Sequence, residues 1–281
     1  MKIEIVEVTP ELAKTWMEKN THNRVIRPGT VNMYARDMTA GNWKMTGETI
    51  KFNKAGDLID GQHRLQAVIK ADITIKLLVV DGLDQDVQEV MDTGIKRSTS
   101  DALQLQGFKN TTTLASAARL MMTLEAYEKA GAELPANADI RSLSRDNVQF
   151  THTEISEYIY EHPELVEATE FASASRKIPY LQPAVIAVAW YTLFRVDQHD
   201  CREFFSSLAN AATDGYGDPR AALLSRLYQA DRIGERLSAG VKLSMVYRVW
   251  NAWRHSEKMH KIPAYRSING KPMTLKIQTP I

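Results

Sequence analysis

Strand signals stop near residue 105, and that limit constrains the fold more than any other feature of the 281-residue chain. Before it, alternating and β-branched runs interleave with short helical patterns. After it, only helical periods follow, separated by loops carrying Pro135, Pro163, Pro179, Gly215 and Pro219. A run of mixed elements followed by a run of helices implies an α+β chain, with the sheet confined to the first third. The boundary is expected around Gly107-Phe108-Lys109-Asn110. Residues 1–105 then form a small mixed-sheet domain and 106–261 an all-α domain. Residues 262–281, with three prolines and no helical period, form an extended tail or strap.

Within the first third, Lys2 to Val8 alternates polar and apolar residues, as an edge or half-buried strand does. Thr9-Pro10-Glu11 combines a hydroxyl cap, a proline at the first helical position and an early acid, so a helix is expected to about Lys19. A second starts at Pro28, with Val31, Tyr34, Ala35 and Met38 on one face. Thr49–Asn53 and Leu58-Ile59 flank a Lys54-Ala55-Gly56-Asp57 turn and read as a hairpin. Ile73 to Val80 is the strongest strand, and Leu83 to Met91 a short helix. The helical two thirds should contain helices near 114–130, 153–161, 183–194, 201–210, 220–237 and 243–258.

Composition excludes some classes. One cysteine, Cys201, rules out an intramolecular disulfide and a four-cysteine zinc site. It is expected to fill a helix packing face. The opening MKIEIVEV reads as a strand and not a signal peptide. No apolar run approaches the roughly 20 residues that span a bilayer, so no membrane partner is expected and the cytoplasm is the expected compartment. Net charge is only +1, but its distribution is uneven. Residues 232–281 hold ten Lys or Arg against two acids, and 120–171 hold eleven acids against three Lys or Arg. This marks an electrostatic footprint or two solvated faces.

The densest polar constellation is Asp60-Gly61-Gln62-His63-Arg64, at the junction of the hairpin and the next helix. A helix start exposes N–H groups without internal partners and carries partial positive charge, which together stabilise an anion. Gly61 allows close backbone approach, Asp60 can cap, Arg64 offers a planar fork for phosphate oxygens, and His63 can donate to phosphate or move a proton. Glu48, just before the hairpin, is a candidate general base. A second polar knot, Asp92-Thr93-Gly94-Ile95-Lys96-Arg97, offers an acid for a metal–phosphate and two cations to screen phosphate charge. Near the end of the chain, Arg248, Arg254, Lys258 and Lys261 interleave with Tyr247, Trp250, Trp253 and Tyr265. Cations contact phosphates and aromatic faces stack on bases, although Val246, Val249, Trp250 and Trp253 also share a helical face suited to a core. The remaining histidines, His255 and His260 among them, show no paired metal spacing and read as surface or capping residues.

The run Asp60-Gly61-Gln62-His63-Arg64 resembles the motif of the ParB/sulfiredoxin-like superfamily in its DGQHR variant, over roughly residues 1–105. The resemblance implies a nucleotide- or phosphate-binding domain fused to a helical one. Gly61, Gln62, His63 and Arg64 would meet the phosphates, and Arg24 and Arg27 would lie near them. Thr93, Lys96 and Arg97 would close the site. A nucleoside triphosphate, ATP or CTP, would bind with Mg²⁺, for which Asp92 is a candidate ligand. Glu48, Asp60 and His63 would serve any turnover, as NTP hydrolysis or phosphoryl transfer by positioning and charge stabilisation. DNA is the expected macromolecular partner, through Arg248, Arg254, Lys258 and Lys261, and homo-oligomers are allowed. Two departures matter. Sulfiredoxins carry a cysteine where this chain has Gln62, which excludes sulfinic acid repair there. The partition proteins carry an arginine-rich version, so CTP specificity does not follow. Two other readings stay open: a non-catalytic DNA-binding or assembly module, and a metal-dependent nuclease.

Overall fold

The structure is a computed structural model that describes residues 1–21, 23, 25–84, 87, 98–135, 150–174, 178–263, 274–275 and 277–281. The chain is α+β and divides into two compact units, Met1–Lys96 with Ser144–Thr153, and Arg97–Leu143 with Glu154–Ile281.

In the first unit, β1 (Lys2–Val8), β2 (Thr49–Asn53), β3 (Leu58–Asp60) and β4 (Ile75–Leu83) form a mixed sheet in the order β1-β4-β2-β3. β4 runs antiparallel to β1, with Ile5 opposite Leu78, and parallel to β2, with Ile50 opposite Val79. β2 and β3 are the hairpin read from the turn residues, with a register shift between Lys51 and Phe52. Alternation explains the strands: Leu77, Val79 and Val8 point into the core, whereas Ile3 and Ile5 are exposed on the edge strand. Three helices supply the other half of that core: α1 (Pro10–Met17), α2 (Pro28–Thr39) and α3 (Gln62–Ala71). Thr9 Oγ1 accepts the N–H of Leu12 and Pro10 opens α1, as the sequence predicts. The expected helix from Leu83 to Met91 falls almost wholly outside the described residues.

The second unit begins with α4 (Thr99–Leu105), which has a Ser98/Asp101 capping box, and α5 (Thr111–Lys129). There follow α6 (His152–Glu161), α7 (Glu164–Ala174), α8 (Pro183–Val196), α9 (Gln198–Asn210), α10 (Pro219–Arg232) and α11 (Ala239–Arg254). β5 (Leu134–Pro135) pairs antiparallel with β6 (Thr274–Leu275), which corrects the expectation of an all-α second domain: two-residue strands paired across about 140 residues leave no alternating run to read. α8 is buried almost all round, and α5, α7, α9 and α11 pack on it. α7 was not expected, because Pro163 reads as a loop residue; here it precedes the first turn of a helix. Cys201 is wholly buried on α9, as anticipated, and burial pushes its thiol up to about 12. Trp250 is likewise buried, edge-on to Phe204 at 5.4 Å, so the tryptophan stripe of α11 is core. The last residues form a strap on α11: Asn251 Nδ2 donates to Thr279 O, Asn251 Oδ1 accepts from Ile281 N, and Trp250 Nε1 donates to Ile281 O.

Asp218 and Arg220 make a buried ion pair at the start of α10. Arg220 Nη2 lies 2.9 Å from Asp218 Oδ2. Asp218 Oδ1 also accepts the N–H of Arg220, Oδ2 accepts that of Asp214, and the guanidinium lies over the Trp253 ring. Burial pushes the Asp218 carboxyl upward, but the side-chain and backbone bonds from Arg220 and Asp214 outweigh it and hold the carboxyl below its ordinary value.

Candidate functional site

Each residue of the Asp60–Arg64 corner binds a different piece of the first unit. Gly61 sits at φ +103°, and a Cβ there would lie 2.5 Å from Ile50 Cδ1 and 3.2 Å from Ile50 Cα. The glycine therefore permits close approach to β2, where the sequence suggested approach to a ligand. Asp60 does not cap α3. The N-cap is Gly61, without a side-chain bond, and Asp60 Oδ2 instead takes Lys51 Nζ at 3.0 Å and Arg64 Nη2 at 3.2 Å. Gln62 Oε1 accepts from Asn20 Nδ2, and Asn23 bridges Asn20 to Leu58 O, so the corner secures the loop after α1.

His63 is 9% exposed, and its Nε2 accepts the backbone N–H of Arg27 at 3.0 Å. That nitrogen cannot donate to a phosphate while the bond holds. The Arg64 side chain is 11% exposed. Its Nη1 meets Glu48 Oε2 at 2.9 Å, and its Nη2 meets Thr49 O at 2.9 Å and Asp60. Glu48 is thus an ion-pair partner on an exposed side chain, and the fork expected to hold phosphate holds two carboxylates and a carbonyl. Arg64 Nε and Thr49 Oγ1 are buried without a partner among the described residues. Arg27 is exposed beside His63 through its backbone. Arg24, Asp92, Thr93, Lys96 and Arg97 lie outside the described residues, and no group of three His, Cys, Asp or Glu that could hold a metal occurs among those described.

The second unit presents a cleft of about 620 Å³ at the C-terminal end of α11. Arg248, His255, Lys258, His260 and Lys261 line it, with Glu257 the only acid on its wall among the described residues. The chain builds it simply. Arg248 lies on the solvent side of a helix whose opposite face carries Val246, Val249 and Trp250 into the core. His255 ends the helix, and Met259 N donates to Gly217 O at 2.9 Å, which turns the following residues back along the wall. Gln278 of the strap completes the lining beside Asn251.

Three of the four cations expected to contact nucleic acid therefore converge. The fourth, Arg254, does not: Nη1 donates to Ile281 O at 3.1 Å, Nε meets Asp200 Oδ2 at 3.1 Å, and the guanidinium lies over Trp250. Arg254 anchors the strap, while Arg248, Lys258 and Lys261 have no acidic partner among the described residues. His255 and His260, read from sequence as surface or capping residues, belong to the cleft; only a fold that brings 248, 255–261 and 278 together could have shown it. No helix among the described residues is long and apolar enough to cross a membrane. The chain matches no family model, no curated protein and no solved structure with which it was compared.

Proposed function

We propose that the chain is a nucleic-acid-binding protein that grips the phosphate backbone in the cleft of its helical unit. The observation that carries this reading is the convergence of Arg248, Lys258 and Lys261, with two histidines, on one open cleft with a single acid on its wall among the described residues. Phosphates supply the missing negative charge, and release of their counterions drives association. DNA is the partner expected from the sequence.

The first unit is proposed as a ParB/sulfiredoxin-like domain, supported by the hairpin that feeds the DGQHR corner and by the parallel pairing of β2 with β4. Its corner has a structural role in this reading. A triphosphate on α3 ranks second, because Arg64 would have to exchange two carboxylates and a carbonyl for phosphate oxygens.

Fluorescence anisotropy of a labelled oligonucleotide, titrated at several salt concentrations, tests the proposal. Binding should weaken linearly in log–log form with salt. Replacing Arg248, Lys258 and Lys261 together by Ala should lower the slope by about 2–3, the share of three phosphate contacts. An unchanged slope and affinity in that variant would remove the cleft from consideration.

A further inference from the structure

We infer that the ligand of this cleft is single-stranded nucleic acid, with Tyr216 as the platform on which one base stacks; this rests on the cleft reading above. Tyr216 is 91% exposed. Its ring is stacked on that of His260, with centroids 4.5 Å apart and 26° between planes. His260 is itself part of the cleft wall, so an aromatic face stands at the rim of the cationic groove. Packing does not account for that exposure. A tyrosine that completes a core buries its ring, as Tyr247 does.

The platform is held in place from below. Gly215 and Gly217 take φ of +84° and +100°, so the chain can turn sharply on both sides of Tyr216. Asp218 N donates to Gly215 O, and Asp218 is locked into the buried pair with Arg220. Gly217 O accepts from Met259 N, and a Cβ on Gly217 would come within 3.3 Å of His260 Cε1. The bonds of Asp218 and of Gly217 O thus hold the backbone beside Tyr216 next to His260, and the stack on His260 orients the ring, which lowers the ordering cost of binding.

The chemistry of the ligand follows. The cations demand a chain of phosphates; the free aromatic face demands a flat π-surface within reach of that chain. A duplex satisfies the first and hides its base faces inside the stack. A single strand offers both, and every base has a face, so the site tolerates any sequence.

The test compares the full-length chain on three fluorescein-labelled probes: an oligothymidylate, an abasic oligomer of equal length, and a duplex. Stacking of one base on Tyr216 should make thymidylate bind roughly 5- to 150-fold tighter than the abasic chain. Tyr216→Ala should bring thymidylate down to the abasic affinity and leave abasic binding unchanged, while Tyr216→Trp should keep the preference. The exposure of Tyr216 makes these variants safe for folding, and a thermal melt checks that. Equal affinity for thymidylate and abasic chains, or a Tyr216→Ala variant indistinguishable from the parent, overturns the stacking proposal. Tight duplex binding that fails in the Arg248, Lys258, Lys261 triple variant also overturns it, yet leaves the cleft as a nucleic-acid site. Binding of none of the three probes overturns both.

Discussion

The start of α3 and the end of α11 are both helix termini crowded with Arg, Lys and His, and they differ in where the opposing charge lies. At the start of α3, Arg64 is nearly buried, and Glu48, Asp60 and Thr49 O lie within 3.2 Å of its fork. At the end of α11, Arg248, Lys258 and Lys261 stay in water with no acid paired to them among the described residues. The difference is a desolvation effect. A charge withdrawn from water must be paid back by partners of the same chain, whereas a hydrated one can wait for a ligand. Density of polar residues in a motif therefore measures how many internal bonds a corner must close, and says little about whether a ligand arrives.

The comparison breaks if internally paired charges prove dispensable. The most committed pair is Asp218–Arg220, and Asp218→Asn should cost roughly 3 kcal/mol by leaving the buried Arg220 only the exposed carboxylates of Asp214 and Glu203 as charged partners. The pH dependence has a definite sign. The folded carboxyl lies below its ordinary value of 3.8, so its stabilisation is present above that value and is lost as pH falls through the folded one. Urea midpoints of parent and variant should differ most near neutrality and converge below about pH 4. Curves that run parallel into acid would show that this pair is not what is lost.

At the corner, Gly61→Ala should cost roughly 2–5 kcal/mol, the sum of strain at φ +103° and overpacking against Ile50. Arg64→Met should cost less, about 1–3 kcal/mol. It breaks three bonds, but Asp60 keeps Lys51, Glu48 is exposed, and the unpartnered Nε is removed with the fork. Thermal unfolding with ATP or CTP and Mg²⁺ sharpens the contrast. Both nucleotides should leave the midpoint of the parent unchanged; a rise of several degrees that disappears in Arg64→Met would return the corner to the role its sequence suggests.

Much of the fold was legible because local chemistry decided it. Thr9-Pro10, the Lys54–Asp57 turn and the alternation of β1 each fix an element within a few residues. What stayed hidden depended on contacts distant in sequence. Nothing around Gly61 announces that Ile50 fills the space where its Cβ would be, and nothing around His63 announces the Arg27 amide. The cleft was half legible: three of its cations were named from their clustering. The internal bonds of Arg254 were not legible, because its partners, Asp200 and Ile281, lie 54 and 27 residues away. Tyr216 carried no signal at all, since a lone tyrosine between glycines reads as loop.

The smallest expected effect separates two arginines six positions apart on the same helix. Arg254→Ala removes the bond to Ile281 O, the pair with Asp200 and the contact with Trp250, so it should lose about 1 kcal/mol of stability and leave nucleic-acid affinity unchanged. Arg248→Ala touches none of these and should keep its stability within about 0.5 kcal/mol. It should instead lower the salt slope of binding by close to 1. Melting curves and anisotropy on the two variants, run side by side, read the two quantities independently. If Arg248→Ala melts early and binds normally, its charge is engaged within the protein after all, and the division between paired and waiting cations fails at the residue where the structure draws it most sharply.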